Sequence, residues 1–274
     1  PLVAKVSPNG TADINHFHAA GGTATLFRTL LDAGMMHGDA ATCMGTEFDR
    51  FVGEPALSGD TLAWSPPVAQ SLDPAILTSV EQPFADEGGV RLLTGNLGRS
   101  VIKVSAVAQE HQRVTAPAVV IDDQNALKAL FDAGELNRDC IVVVRFQGPA
   151  ANGMPELHKL TPMLGVLQDR GYSVALVTDG RMSGASGKVP AAIHLTPEAS
   201  VGGVLAKVMN GDMIALDAQA GTLELLVTEE ELSARPIAVA PKVPNTVGRS
   251  LFGQARKGVT SAEEGASFIL ADEE

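Results

Sequence analysis

Val174-Ala-Leu-Val-Thr-Asp-Gly-Arg-Met-Ser-Gly-Ala-Ser-Gly-Lys-Val-Pro190 sets the frame for the whole chain. Its first half is an unbroken apolar run, the pattern of a strand buried on both faces. Its second half turns polar and small, with Gly180, Gly184 and Gly187 among two serines, an arginine and a lysine. A rigid strand opening into a permissive loop holds backbone and side chains against a ligand, and Ser183 is read as a candidate catalytic residue there.

Working outward, Cys140-Ile-Val-Val-Val-Arg-Phe146 is a second doubly buried strand, and Glu156–Arg170 reads as a helix starting near Pro155. Strand, loop, helix and strand make a unit whose two parallel strands release their following loops at the same end of the sheet. The first loop, Gln147 to Glu156, therefore faces the second, Asp179 to Lys188. Further short strands are expected over 90–94, 100–107, 118–121, 191–195, 213–218 and 222–227, with Gly221 as a hairpin turn. Asp122–Gly134 reads as a capped amphipathic helix and Val247–Arg256 as a final one. Near the start, Asp13 or Asn15 caps a short helix ending at Gly21-Gly22, and residues 23–33 form a second helix stopped by Gly34. Residues 52–87 hold five prolines and little periodicity, and read as an extended connection. The Pro-rich stretch 235–244 and the acidic end 271–274 read as loop and solvated tail.

The 274 residues are 45% hydrophobic with a net charge of −12, which argues against a nucleic-acid partner. No apolar run approaches a membrane span, and two cysteines make no disulfide framework, so a cytoplasmic protein is expected. The first residue is Pro1, which reads as a fragment or processed chain. Gly184-Ala-Ser-Gly-Lys188 is only half a phosphate-binding P-loop, since Met182 stands where its first glycine belongs and Val189 where its hydroxyl belongs. The Gly-x-Ser-x-Gly elbow fails too, because two residues separate Gly180 from Ser183. Cys43 and Cys140 are too few for a cluster or zinc site, and Cys140 reads as core. His16 and His18, two apart on a helix, point in different directions.

Several residues keep two readings on type alone. Glu156 is either a first-turn glutamate complementing a helix dipole or a hard-metal ligand. Ser183 is either a turn serine or a catalytic one, and Arg181 and Lys188 are either solvated cations or ligand contacts.

Longer stretches carry a resemblance. Residues 176–194 followed by Thr196-Pro-Glu-Ala199, together with Asp13-Ile-Asn-His-Phe17, Ala19-Ala-Gly-Gly22, Glu81-Gln-Pro-Phe84, Gly95 to Ser100 and Asn152-Gly-Met-Pro-Glu-Leu-His-Lys-Leu160, resemble the dihydroxy-acid and sugar-acid dehydratases. Asn152–Leu160 and Gly187-Lys188-Val189 are similar to the branch acting on 6-phospho-D-gluconate. The resemblance implies a hydro-lyase of the Entner–Doudoroff route that forms 2-keto-3-deoxy-6-phosphogluconate; the alternatives are another sugar-acid or dihydroxy-acid dehydratase of the family, or a non-catalytic ligand-binding fragment when isolated. It implies Ser183 as the base at C2, Glu156 as a ligand to Mg²⁺ or a similar divalent cation, and an iron–sulfur cluster, 4Fe-4S or 2Fe-2S, with ligands outside this chain. The implied fold is α/β: a swivelling β/β/α domain with a barrel-like mixed sheet over 71–274, after a helical remnant of the N-terminal α/β domain over 1–70. A missing N-terminal half of the same enzyme and a homodimer are the implied partners, and the isolated chain is expected to be inactive. Separately from the resemblance, Lys188 is expected to contact the substrate phosphate. Arg181, Lys159 and His158 are further substrate contacts, and Gly184–Gly187 a backbone anion nest.

Overall fold

The computed structural model describes the chain except residues 8, 47, 184–186, 243–245 and 270–274, and gives only the backbone of 49 and 50. The acidic end, the last residues of the Pro-rich stretch and most of the expected anion nest thus lie outside the described residues. The chain divides into two compact units, Pro1–Gly89 and Val90–Glu274.

In the first unit, α1 (Ile14–Ala19) and α2 (Gly22–Asp32) follow directly on each other. Asp13 caps α1 by accepting from the N–H groups of Asn15 and His16 at 2.9 and 3.0 Å, while the His16 ring reaches back to the Asp13 N–H. Gly21 and Gly22 carry positive φ, the conformation that lets two helices abut. A small core of Phe17, Ala20 and Leu77 sits under this pair. The expected extended connection contains a hairpin, β1 (Glu54–Ser58) and β2 (Thr61–Ser65), turning at Gly59-Asp60. Both strands are largely exposed, so no alternation of apolar residues marks them in the sequence.

The second unit is a closed mixed barrel. Its strands are β3 (Val90–Gly95), β4 (Gly98–Lys103), β5 (Arg113–Ile121), β6 (Cys140–Val144), β7 (Val174–Thr178), β8 (Ala191–Thr196), β9 (Met213–Asp217) and β10 (Thr222–Leu225). Around the barrel they run β10-β3-β4-β8-β7-β6-β5-β9, with β5 to β8 mutually parallel. The helices are α3 (Ala126–Asp132), α4 (Pro149–Asn152), α5 (Leu160–Asp169), α6 (Glu229–Ala234), α7 (Val247–Leu251) and α8 (Gly253–Lys257).

The unbroken runs of β6 and β7 are explained by two cores. Ile141, Val143, Ala175 and Val177 point into the barrel, against Leu93, Ile102 and Leu216. The alternate residues Cys140, Val142, Val144, Val174 and Leu176 face outward against Leu127 of α3 and Leu160, Leu164 and Leu167 of α5. At about 25 cal/mol per Å² of apolar area removed from water, this double burial is the main favourable contribution of the sheet. The rest of the circumference follows the ordinary half-buried alternation.

Several bounds differ from expectation. The strand expected over 100–107 ends at Lys103, where Val104 and Val107 close a turn. β5 begins five residues early and runs through Pro117. Asp122 does not cap α3; it pairs with Arg145 at 2.8 Å. The helix expected from Glu156 begins at Leu160, with Pro162 in its first turn, where a missing N–H costs nothing. The final helix is broken at Phe252-Gly253 into α7 and α8.

The barrel closes at a narrow seam between β3 and β10, where the ladder holds a single register pair, Thr222 with Thr94. Beyond it the Asn96 side chain stands in for a strand, donating to Leu225 O and accepting from Leu225 N, both at 2.8 Å. Glu224 takes the Asn96 N–H at 3.1 Å. A Cβ on Gly95 would lie 1.9 Å from Leu223 O, so only glycine allows the approach.

Candidate active site

The loops following β6, β7 and β8 are tied together by two buried carboxylates. Asp179 ends the apolar run of β7 with no exposed surface. It accepts the N–H groups of Phe146 (3.2 Å) and Gln147 (2.9 Å) after β6 and of Ala199 (3.0 Å) after β8. Burial pushes its carboxyl up to about 6; the three N–H groups work against that shift, and the nearby charge of Glu198 adds to it. Glu198 itself accepts from the N–H groups of Ala150 and Ala151 at 3.0 and 2.9 Å and from the Ser200 hydroxyl. A Cβ on Gly148 would come within 2.3 Å of Glu198 Oε2, so the loop hugs this carboxylate.

On this frame the two loops meet as an isolated parallel bridge between Glu156 and Arg181. Glu156 Oε2 receives Arg181 Nη1 at 2.6 Å, and Oε1 receives the Ser183 N–H at 2.6 Å. Arg181 Nε donates to Met154 O at 2.7 Å, and Leu157 N to Arg181 O at 3.2 Å. Glu156 therefore lies outside α5, and its reading as a first-turn glutamate does not hold: its carboxylate organises the opposite loop. Met154, at φ 50°, carries the backbone strain that turns the chain into this bridge.

Two neighbours gave weak signals in the sequence. His194 interrupts an apolar strand, adopts φ 58° and donates its N–H to Gly180 O at 2.9 Å. Burial, and then the charge of Arg181, hold its imidazole below the usual value and favour the neutral ring. Lys103, at the end of β4, lines with Ser183, Met182 and Gly187 a recess of about 30 Å³, room for about one water. Neither position stands out by periodicity, because the approach of β4 to this loop depends on barrel closure.

The remaining cations spread out. Lys188 Nζ is bound by both oxygens of Asp169, at 2.6 and 2.7 Å, and shares an open cleft of about 310 Å³ with His158. Lys159 Nζ donates to Asn125 Oδ1 at 2.8 Å. Arg181 alone of the expected substrate contacts lies with Glu156 and Ser183.

Sequence comparison now has a geometry to meet. Residues 75–266 match the family described as "Dihydroxy-acid/6-phosphogluconate dehydratase C-terminal", and residues 1–50 match its N-terminal counterpart. This chain belongs to the dihydroxy-acid/6-phosphogluconate dehydratase family. It is 57% identical to a phosphogluconate dehydratase of Pseudomonas aeruginosa over 97% of its length and 44% of the relative's. The phosphogluconate dehydratase of Zymomonas mobilis is 50% identical, covering 99% of the chain and 45% of the relative. A dihydroxy-acid dehydratase of Aeropyrum pernix is 35% identical, over 97% and 45%. The chain thus spans less than half the length of the relatives it matches.

The residues of this chain fit the cofactors expected from the sequence unequally. Glu156 is a hard oxygen donor and suits one coordination position of a divalent cation. Among the described residues, no group of three or more histidine, cysteine or acidic side chains could hold a metal. Cys140 is buried in the outer core, where desolvation pushes its thiol up to about 11, and Cys43 belongs to the other unit. Neither cysteine fits an iron–sulfur ligand set. No helix among the described residues is long and apolar enough to cross a membrane.

Proposed function

We propose that this chain supplies the proton-abstracting side of a 6-phosphogluconate dehydratase active site, with Ser183 as the base and Glu156 as a divalent-cation ligand. The observation that carries the reading is the Glu156 carboxylate bridging Ser183 N and Arg181 across two loops. The phosphogluconate dehydratases to which the chain is 50–57% identical support this choice of substrate. In this reading residues 1–70 are the tail of the N-terminal domain and 71–274 the C-terminal domain. The iron–sulfur ligands lie elsewhere in the complete enzyme, which works as a homodimer.

Ser183 Oγ takes the proton from C2 of the sugar acid. The electron pair of that C–H bond becomes the C2–C3 double bond as the C3–O bond breaks. The proton from C2 balances the hydroxide lost from C3, so the sum is one water. The enol then tautomerises to the 2-keto acid. A serine hydroxyl is a weak base, and the guanidinium of Arg181 lowers the cost of its deprotonated form. A bound divalent cation would supply Lewis acidity at the substrate carboxylate, where the proton's electron pair develops charge. Glu156 fixes the Ser183 backbone, so the hydroxyl is presented without reorganisation.

The test is Ser183→Ala in the complete enzyme. Turnover should drop by roughly 10²–10⁴-fold, the range of a lost general base, and exchange of the C2 proton into deuterated solvent should disappear with it. Wild-type exchange in the variant would assign the proton to another group.

A further inference from the structure

One apolar cavity of the barrel unit plays no part in the proton chemistry, and two arginines stand in its wall. It measures about 490 Å³ and lies between α4 with its following residues Gly153-Met154 and the α7–α8 pair, with Phe252 and Phe268 as apolar wall. That is a volume suited to a small ligand. Arg249 and Arg256 line it. Both are half-buried, and among the described residues they donate only to neutral oxygens. Arg249 donates to Asn152 Oδ1 at 3.1 Å and to Ala151 O at 3.2 Å, and Arg256 to Arg249 O at 2.6 Å.

The contrast with five other arginines of the unit is chemical. Arg99, Arg113, Arg145, Arg181 and Arg235 each face a carboxylate. Among the described residues, no carboxylate pairs with Arg249 or Arg256. Two half-buried guanidinium groups that meet no carboxylate among the described residues are under-neutralised in a chain of net charge −12. A dianion would neutralise them, and the planar fork of arginine matches phosphate oxygens. Location agrees. Met154 forms part of the wall, its carbonyl accepts Arg181 Nε, and Glu156 follows two residues later. One strip of backbone therefore serves both the cavity and the carboxylate of the candidate site. Lys188, by comparison, is already neutralised by Asp169.

We propose that this cavity receives the phosphate end of a phosphorylated sugar acid, with Arg249 and Arg256 as its counter-charges. The inference rests on the reading of the chain as part of a 6-phosphogluconate dehydratase. It assigns to α7–α8 the selection of phosphorylated over plain sugar acids.

The experiment compares Arg249→Ala, Arg256→Gln, Arg256→Lys and Lys188→Ala in the complete enzyme. KM and kcat are measured for 6-phosphogluconate and for gluconate, with thermal unfolding of each variant beside them. Loss of a charge-assisted contact should raise KM for 6-phosphogluconate about 10- to 100-fold in Arg249→Ala and Arg256→Gln and leave gluconate within about twofold. Arg256→Lys, which keeps the charge, should recover part of the loss. Equal effects on both acids would overturn the proposal, as would a phosphate-selective loss confined to Lys188→Ala. If the wild type dehydrates neither acid, the functional reading falls, and titration with inorganic phosphate then decides the site. Saturable binding weakened in Arg256→Gln and retained in Arg256→Lys upholds an anion site, and binding unchanged by both removes it.

Discussion

The barrel has two unlike arcs. From β5 to β8 the strands are parallel, and β6 and β7 are buried on both faces between the interior core and the α3–α5 layer. Along β4, β3, β10 and β9 the pairing is mainly antiparallel, the inner face is buried, and residues such as Val90 and Leu92 look outward, 64% and 46% exposed. Both arcs fill one interior, yet only the first carries the loops of Glu156 and Ser183. Parallel strands all release their chain at the same end, so consecutive loops converge, whereas antiparallel hairpins send theirs to opposite ends. Double burial also stiffens the arc that must hold Glu156 and Ser183 in register across a 27-residue separation.

That contrast can be broken at graded cost. The largest effect is expected at the bridge between loops. Glu156→Ala removes the acceptor of Ser183 N and the partner of Arg181 together, and should lower kcat in the complete enzyme by about 100-fold or more, with the fold retained. Activity within about threefold of wild type would mean that the bridge is ornamental.

Next comes the outer core. Leu164→Ala empties a site with no exposed surface between α5 and the sheet, and should cost about 2–5 kcal/mol by urea unfolding. A value below about 1 kcal/mol, well under the range for such cavities, would deny the outer layer its part in holding the parallel arc.

Asp179 sharpens the comparison through pH. Its folded carboxyl sits at about 6, against the ordinary 3.8, so the folded chain holds this proton more tightly. The stability it contributes is fully present below pH 3.8 and is lost as pH rises through 6. Measured as wild type minus Asp179→Asn, the unfolding free energy should therefore fall by roughly 2 kcal/mol between pH 4 and 7. A difference that stays flat over this window would show that the carboxylate does not titrate there. The smallest effect belongs to the other arc, where Leu92→Thr should stay within about 0.5 kcal/mol of wild type.

The sequence made the parallel arc plain and left the other parts obscure, for identifiable reasons. Cys140–Val144 and Val174–Thr178 announce double burial by composition, and the cap at Asp13 and the turn at Gly221 are local events written in adjacent residues. The hairpin of Glu54–Ser65 escaped because its exposed strands have no apolar face to betray them. Partnerships between distant charges left no local trace at all. Asp169 binding Lys188, Asp122 binding Arg145 and Glu156 binding Arg181 span 19 to 25 residues and are set by the fold. For that reason the facing of Glu156 and Ser183 could be inferred from strand topology, while the dispersal of Lys188, Lys159 and His158 away from them could not.

The seam between β3 and β10 gives the barrel a direction in which to open. Along most of the circumference, parting two strands breaks a run of backbone bonds at once. Here it breaks one register pair, a few flanking contacts and the two bonds of a single carboxamide, Asn96. Fluctuations that expose backbone to solvent should start there, so the amides of Thr94 and Leu225 should exchange for deuterium by local opening while those of Val142 and Val143 wait for global unfolding. The loops that carry Glu156 and Ser183 hang from the opposite, doubly buried arc, so opening at the seam should leave them undisturbed.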